Sequence, residues 1–265
     1  MRYKGFELDP SGDYQTFRRL DMGPLGPTQT GGYNQSFILA GTGTASDYMI
    51  IQDSFFHNLD LGAGIKIYAK NKLLIEDNVL AHFKDTNTVT NIEGIALKGD
   101  VRRTTVRGNT IYDVPQKGIG GNMHDTTTRE MEILYNCVYN ASITAIDINQ
   151  DGMAGVIHIY RNTFSGTVQV RNTDSSDGPF YFSNNVIVNR DSGTPAGSHI
   201  YHLSVSDPSR VVRSDNLVGY PADNILGSGC NLTSGYLSYI GTHGHLRSVP
   251  LNAPVPSAPA SLTVN

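Results

Sequence analysis

A short pattern of apolar and polar positions recurs along the chain: an apolar residue, two others, Asn or Asp, one other, then a second apolar residue. It reads Ile50, Asp53 and Phe55, then Ile75, Asn78 and Leu80, then Val106, Asn109 and Ile111. It continues as Ile133, Asn136, Val138; Ile159, Asn162, Phe164; Phe182, Asn185, Ile187; and Val212, Asp215, Leu217. Self-similarity at such a period is the sequence signature of a repeat architecture. A second segment follows in most units, often after glycine: Gly64-Ile65-Lys66-Ile67, Gly94-Ile95-Ala96-Leu97 and Gly118-Ile119-Gly120. Later members are Ala145-Ile146-Asp147-Ile148, Thr167-Val168-Gln169-Val170 and, more loosely, His199-Ile200-Tyr201. These alternate with period two, as strands with one buried face do. No comparable segment carries a 3.6-residue apolar stripe, and Asp13 to Leu20 reads as one short helix or a capping strand.

The spacing predicts an all-β fold, a right-handed single-stranded parallel β-helix of about seven coils with capped ends. Asn and Asp tolerate the left-handed backbone of a sharp turn and bond nearby backbone groups. Coils stack about 4.8 Å apart, so equivalent amides lie above one another and form a ladder, here expected from Asp53 to Asp215. The flanking apolar residues stack likewise and fill the interior. The coils run over 34–226, with an N-terminal cap at 1–33 and a C-terminal cap and tail at 227–265, all one structural domain. Longer units place insertions at 82–93 and 190–198, emerging on one side of the scaffold, where binding loops are commonly found.

Composition narrows the function classes. Charged residues make up 17% of the chain and the formal net charge is −4, so the surface is mainly uncharged polar. No basic run marks a nucleic-acid partner. No stretch approaches the roughly 20 apolar residues of a membrane span. The first residues lack the apolar core of a signal peptide, so we expect unconventional secretion, as in virion proteins, or a start after a removed segment. The expected location is extracellular or virion-associated. Cys137 and Cys230 form no metal-ligand or CxxC spacing, and Cys137, in an apolar strand pattern, reads as a buried free thiol. Nucleophile-elbow, Walker and dinucleotide-binding motifs are absent.

The Asn-turn strand followed by a Gly-Ile strand resembles the parallel β-helix repeat of pectate-lyase-like proteins. That group includes polysaccharide lyases, polygalacturonase-type hydrolases, mannuronan C5-epimerases and phage tailspikes. The resemblance covers roughly two hundred residues and implies a polysaccharide partner. It also implies a monomer, or a homotrimer if the chain is of the tailspike type. The polygalacturonase pattern is incomplete: Asn172-Thr173-Asp174 is present, but no paired Asp follows one coil on, and His243-Gly244 arrives in the C-terminal cap. Asn122-Met123-His124-Asp125 matches half of the epimerase motif and lacks its leading Asp-Pro.

Outward positions of the second strand align into columns. One reads Lys66, Ala96, Gly120, Asp147 and Gln169; the next reads Tyr68, Lys98, Asn122, Asn149 and Arg171. Small residues flanked by charges make a shallow polar groove suited to an extended chain, with Lys66, Tyr68, Asn122, Asn149 and Arg171 as substrate-binding candidates. Elimination on a uronate polymer needs a cation to stabilise charge at the carboxylate and a base to take the neighbouring proton. Lys98, Arg102, Arg103, His124 and Asp147 are the catalytic candidates. Asp147 and Asp151 are candidate ligands if Ca2+, the metal of some related lyases, is used. With no tryptophan, the 14 tyrosines, among them Tyr68, Tyr112, Tyr160 and Tyr181, would supply any sugar-stacking platform. The reading favoured is a lyase on an acidic glycan; the alternatives are a non-catalytic glycan-binding scaffold and a uronate C5-epimerase.

Overall fold

The computed structural model describes residues 6–7, 14–25, 36–40, 46–60, 62–84, 92–124, 129–151, 154–172, 178–188, 201–204 and 207–219. Every strand pairing among them is parallel, and each strand pairs with its equivalent in the next coil. The result is an all-β parallel solenoid with three faces. The first face carries the Gly-Ile strands, including Lys117–His124, Thr144–Asp151 and Val168–Asn172. The second carries Ser46–Gln52, Arg129–Leu134, Ala154–Tyr160 and Gly178–Ser183. Ala63–Glu76 and Glu93–Arg107 run continuously around the corner between these faces, joining both into one 14-stranded sheet. Their pairing register shifts between Ile67 and Ala69, and Gly99 opposite adopts φ 58°.

The third face is an 8-stranded sheet that includes Val79–Ala81, Thr110–Val114 and Cys137–Ala141. The coil number therefore differs slightly from that implied by the recurrences. The short strand Asp21–Met22 stacks on Phe55–His57, yet it carries no Asn-turn pattern by which to be found. Gln15–Arg18 is likewise a strand, paired with Ser46–Gln52; the 1–33 stretch thus contains solenoid strands. Residues 85–91, 189–200 and 220–265 lie outside the described residues, and with them most of both expected insertions and all of the C-terminal cap. Among the described residues no helix is long and apolar enough to cross a membrane.

Three apolar stacks fill the interior. Ile38, Ile65, Ile95, Ile119, Ile146 and Val168 align on the first face, all at 0% exposure. Ile51, Ile75, Val106, Ile133, Ile159 and Phe182 align on the second. Phe56, Leu80, Ile111, Val138, Phe164 and Ile187 align on the third. Each such side chain contributes about 1.5–3 kcal/mol by leaving water, so the stacks supply the main driving force for coiling.

The corner between second and third faces holds the amide ladder. The backbone N–H and Nδ2 of Asn109 donate to Asn136 Oδ1 at 3.1 and 2.9 Å. Asn78 to Asn109, Asn136 to Asn162, Asn162 to Asn185 and Asn185 to Asn216 repeat this pair of bonds. Each Nδ2 also reaches a carbonyl one coil back, such as Val106 O from Asn136 at 2.8 Å. Every inward amide is thereby satisfied, as a buried polar group must be. The ends of the ladder are Ser54 and Asn216, and not Asp53 and Asp215. Those aspartates are the preceding residues, at φ 51° and 55°, in a left-handed column shared by Asp77, Gly108, Tyr135, Arg161 and Asn184.

Cys137 corrects a second expectation. It is buried as read, but it is disulfide-bonded, and no free cysteine occurs among the described residues. It follows Asn136, whose side chain enters the ladder, so strand alternation turns the Cys137 sulfur away from the core stack. The remaining cysteine of the chain, Cys230, lies outside the described residues.

Candidate functional site

On the first face the backbone register aligns Lys66, Ala96, Gly120, Asp147 and Gln169 in one column, as the sequence implies. Lys98, Asn122, Asn149 and Arg171 align in the next. One step before these lies a further column, Ala63, Glu93, Lys117 and Thr144. The smallness of Gly120 is what lets the columns interact. A Cβ there would stand 2.6 Å from Glu93 Oε1, so only glycine leaves room for that carboxylate to lie across the sheet.

Glu93 and its neighbours form a linked chain of charges. Lys98 Nζ lies 3.1 and 3.0 Å from the two Glu93 oxygens. Lys117 Nζ lies 3.6 Å from Glu93 Oε1 and 2.9 Å from Asp147 Oδ2. The carboxylates are the enclosed members, with side-chain exposures of 1% for Glu93 and 3% for Asp147, whereas Lys98 and Lys117 keep 15% and 22%. Removing carboxylates from water costs several kcal/mol each, and the alternation of sign offsets that cost. Thr144 Oγ1, whose backbone pairs with Lys117, is buried without a hydrogen-bond partner. Lys66 Nζ sits 5.3 Å from the centroid of the Tyr68 ring.

Among the catalytic candidates, Lys98 and Asp147 thus belong to one chain of ion pairs, joined through Glu93 and Lys117. Arg102 instead forms a two-pronged pair with Asp100, Nε and Nη2 each donating at 2.6 Å. Arg103 lies past the bend at φ 45° and lines a cleft on the second face. His124 pairs through its backbone with Asp151. The side chains of His124, Asn122, Asn149, Asp151 and Arg171 lie outside the described residues. Glu93 and Lys117 were missed, although each stands directly before a Gly-Ile pair; reading that flanking position down the repeats would have placed them side by side.

Of the two candidate calcium ligands, the side chain of Asp151 lies outside the described residues, and only Asp147 is described. The partner of its Oδ2 is an ammonium, and the carboxylate nearest along the chain, Glu93, is bound by two lysines. Among the described residues no group of three or more His, Cys, Asp or Glu side chains comes together. Of the tyrosines considered for stacking, Tyr112 lies against Tyr139 at 5.0 Å and 1°, and Tyr181 against His158 at 4.7 Å and 10°.

Comparison with protein-family models, curated proteins and solved structures finds no match to this chain, so the chain is described by its architecture: a parallel β-solenoid.

Proposed function

We propose that the protein is a carbohydrate-active β-helix protein, a polysaccharide lyase that cleaves an acidic, uronate-containing glycan by β-elimination. The observation that carries this reading is the chain Lys98, Glu93, Lys117 and Asp147 on the outer side of the first face. Charges drawn together over a glycine floor on the outside of a solenoid serve no repeat. They confront an extended ligand with two ammonium groups at one level.

Each ammonium has three donors, so Lys98 and Lys117 have capacity to hold a uronate carboxylate beside their protein partners. There they stabilise the charge that builds up when the carbon next to that carboxylate loses its proton. Both lysines donate to carboxylates here, so we assign proton abstraction to a carboxylate of the chain, Asp147. The electron pair from the broken C–H bond forms a carbon–carbon double bond, the bond to the glycosidic oxygen breaks, that oxygen takes a proton from water, and Asp147 returns its proton to solvent. The disulfide at Cys137 accords with an oxidising, extracellular or virion-surface setting.

The test is incubation with pectate, alginate, hyaluronan and chondroitin while following ultraviolet absorbance of an unsaturated product. Absorbance should rise on one of these polymers. Binding to a uronate polymer with no absorbance on any of them would replace the lyase with a glycan-binding scaffold.

A further inference from the structure

The corner between the first and second faces carries a column of its own. Tyr14, Tyr48, Lys72 and Arg103 all adopt left-handed backbone, at φ 59°, 58°, 60° and 45°. Each directly precedes one of the aligned residues Gln15, Met49, Leu73 and Thr104. Glu130 and Val156 continue the column before Met131 and Ile157. The rings of Tyr14 and Tyr48 stack at 4.7 Å and 11°, and Tyr14 is 74% exposed. Lys72 Nζ lies 4.0 Å from the Tyr48 ring centroid and donates to its hydroxyl at 2.5 Å.

Beyond Lys72 the column opens into a cleft of about 400 Å³, lined by Arg103, Thr105, Glu130, Glu132 and His158 among others. His158, at the far side of this lining, stands in register with Glu132 and stacks on Tyr181 one coil further on. Several charged groups elsewhere on this solenoid are paired: Arg18 with Asp53, Arg102 with Asp100, Arg107 with Glu76, His82 with Asp113. The side chains of Arg103, Glu130 and Glu132, all exposed in the same cleft, make no ion pair or hydrogen bond among the described residues.

From this arrangement we infer a second ligand site: a track along the second-face corner, from Tyr14 and Tyr48 to Tyr181, that binds a neutral, polyhydroxylated glycan chain. Tyr48 is covered on one side by Tyr14 and on the other by Lys72, so the largely exposed ring of Tyr14, with the outer edge of Tyr181 at the far end, offers the apolar surface against which a sugar ring packs. The two glutamates accept hydrogen bonds from hydroxyls, and Arg103 and Thr105 donate to ring and hydroxyl oxygens. From Tyr14 to Val156 the column runs roughly 24 Å at the coil spacing, the reach of an oligosaccharide and not of a single sugar. Glu130 and Glu132 offset the charges of Lys72 and Arg103, so the track favours a neutral chain over a polyanion, which separates it from the lysine-bearing first face.

The experiment is titration calorimetry of the full chain with a length series of neutral oligosaccharides. Affinity should rise with length, fall at least about tenfold in Tyr14→Ala, and fall also in Glu132→Gln. Lys117→Ala should bind as the wild type does, so failure of the uronate reaction and failure of this track are told apart. Tyr14→Ala is checked for folding by its melting curve, and Glu132→Gln, an isosteric change at an exposed site, keeps the test decisive if that variant unfolds. Absence of binding to every neutral oligosaccharide, binding indifferent to both variants, or preference for a polyanion such as single-stranded nucleic acid would each overturn the inference.

Discussion

The amide corner and the outer surface of the first face both bury polar groups across several coils, one by repetition and the other by exception. In the ladder, Asn78, Asn109, Asn136, Asn162 and Asn185 each make the same bonds to the same kind of partner. Any one rung could be exchanged for the next. On the first face no rung resembles its neighbour: the column Ala63, Glu93, Lys117 and Thr144 changes chemistry at every step. A solenoid needs its periodic residues to exist at all, whereas aperiodic charges held out of water add nothing to coiling. That difference is why the ladder is read as architecture and the charge chain as the site.

The largest way to break this contrast is in the ladder. Asn136→Ala removes the acceptor for two donors of Asn109, one of the two donors to Asn162 Oδ1, and the amide that satisfies Val106 O. Each stranded buried group costs roughly 1–3 kcal/mol, so urea unfolding should show a loss of about 3–5 kcal/mol. A loss no larger than that of an exposed substitution would deny the ladder its role. Next comes the site. Gly120→Ala drives a methyl against Glu93 Oε1 and should cost about 1–3 kcal/mol, while uronate turnover falls much further than stability. Equal retention of both would mean the carboxylate does not sit over the glycine.

The smallest effect concerns the left-handed column beside the ladder. Burial, with Glu76 and Asp53 nearby, raises the Asp77 carboxyl above its ordinary range. A raised folded-state value means that ionisation is disfavoured in the folded chain, so this group destabilises it above the unfolded value and not below. Asp77→Asn keeps a side chain tolerant of φ 54° and should gain roughly 0.3–0.5 kcal/mol at neutral pH, discounted for exposure. The gain should vanish as pH falls below the ordinary carboxylate range, where both forms are neutral. Asp53 runs the other way: its bonds to Arg18 and Gln52 lower its value, so its small contribution is lost on acidification.

Period and alternation are local facts of the chain, and they sufficed for the parallel solenoid and for the column of Lys66, Ala96, Gly120 and Asp147. The ends of the ladder slipped by one residue because polar pairs stand there, Asp53-Ser54 and Asp215-Asn216, with apolar residues on both sides at Ile50 and Ile51. Choosing between them requires knowing which residue takes the left-handed turn. Glu93 was legible only as the end of an insertion and Lys117 as a residue before glycine. Their pairing with Lys98 and Asp147 depends on a carboxylate folding back across the sheet over Gly120. The disulfide at Cys137 was hidden for another reason: its pairing is not part of any repeat.

The central claim, that the aperiodic charges of the first face carry the chemistry, is tested most directly by one comparison. Unsaturated-product absorbance is followed on the uronate polymer that responds, for the wild type and for Lys117→Ala, with unfolding curves of both proteins alongside. Lys117 bridges Glu93 and the buried Asp147, so the variant should lose about 1–3 kcal/mol of stability while staying folded, and lose at least about a hundredfold in rate. A folded Lys117→Ala protein that cleaves the polymer at the wild-type rate would contradict the account.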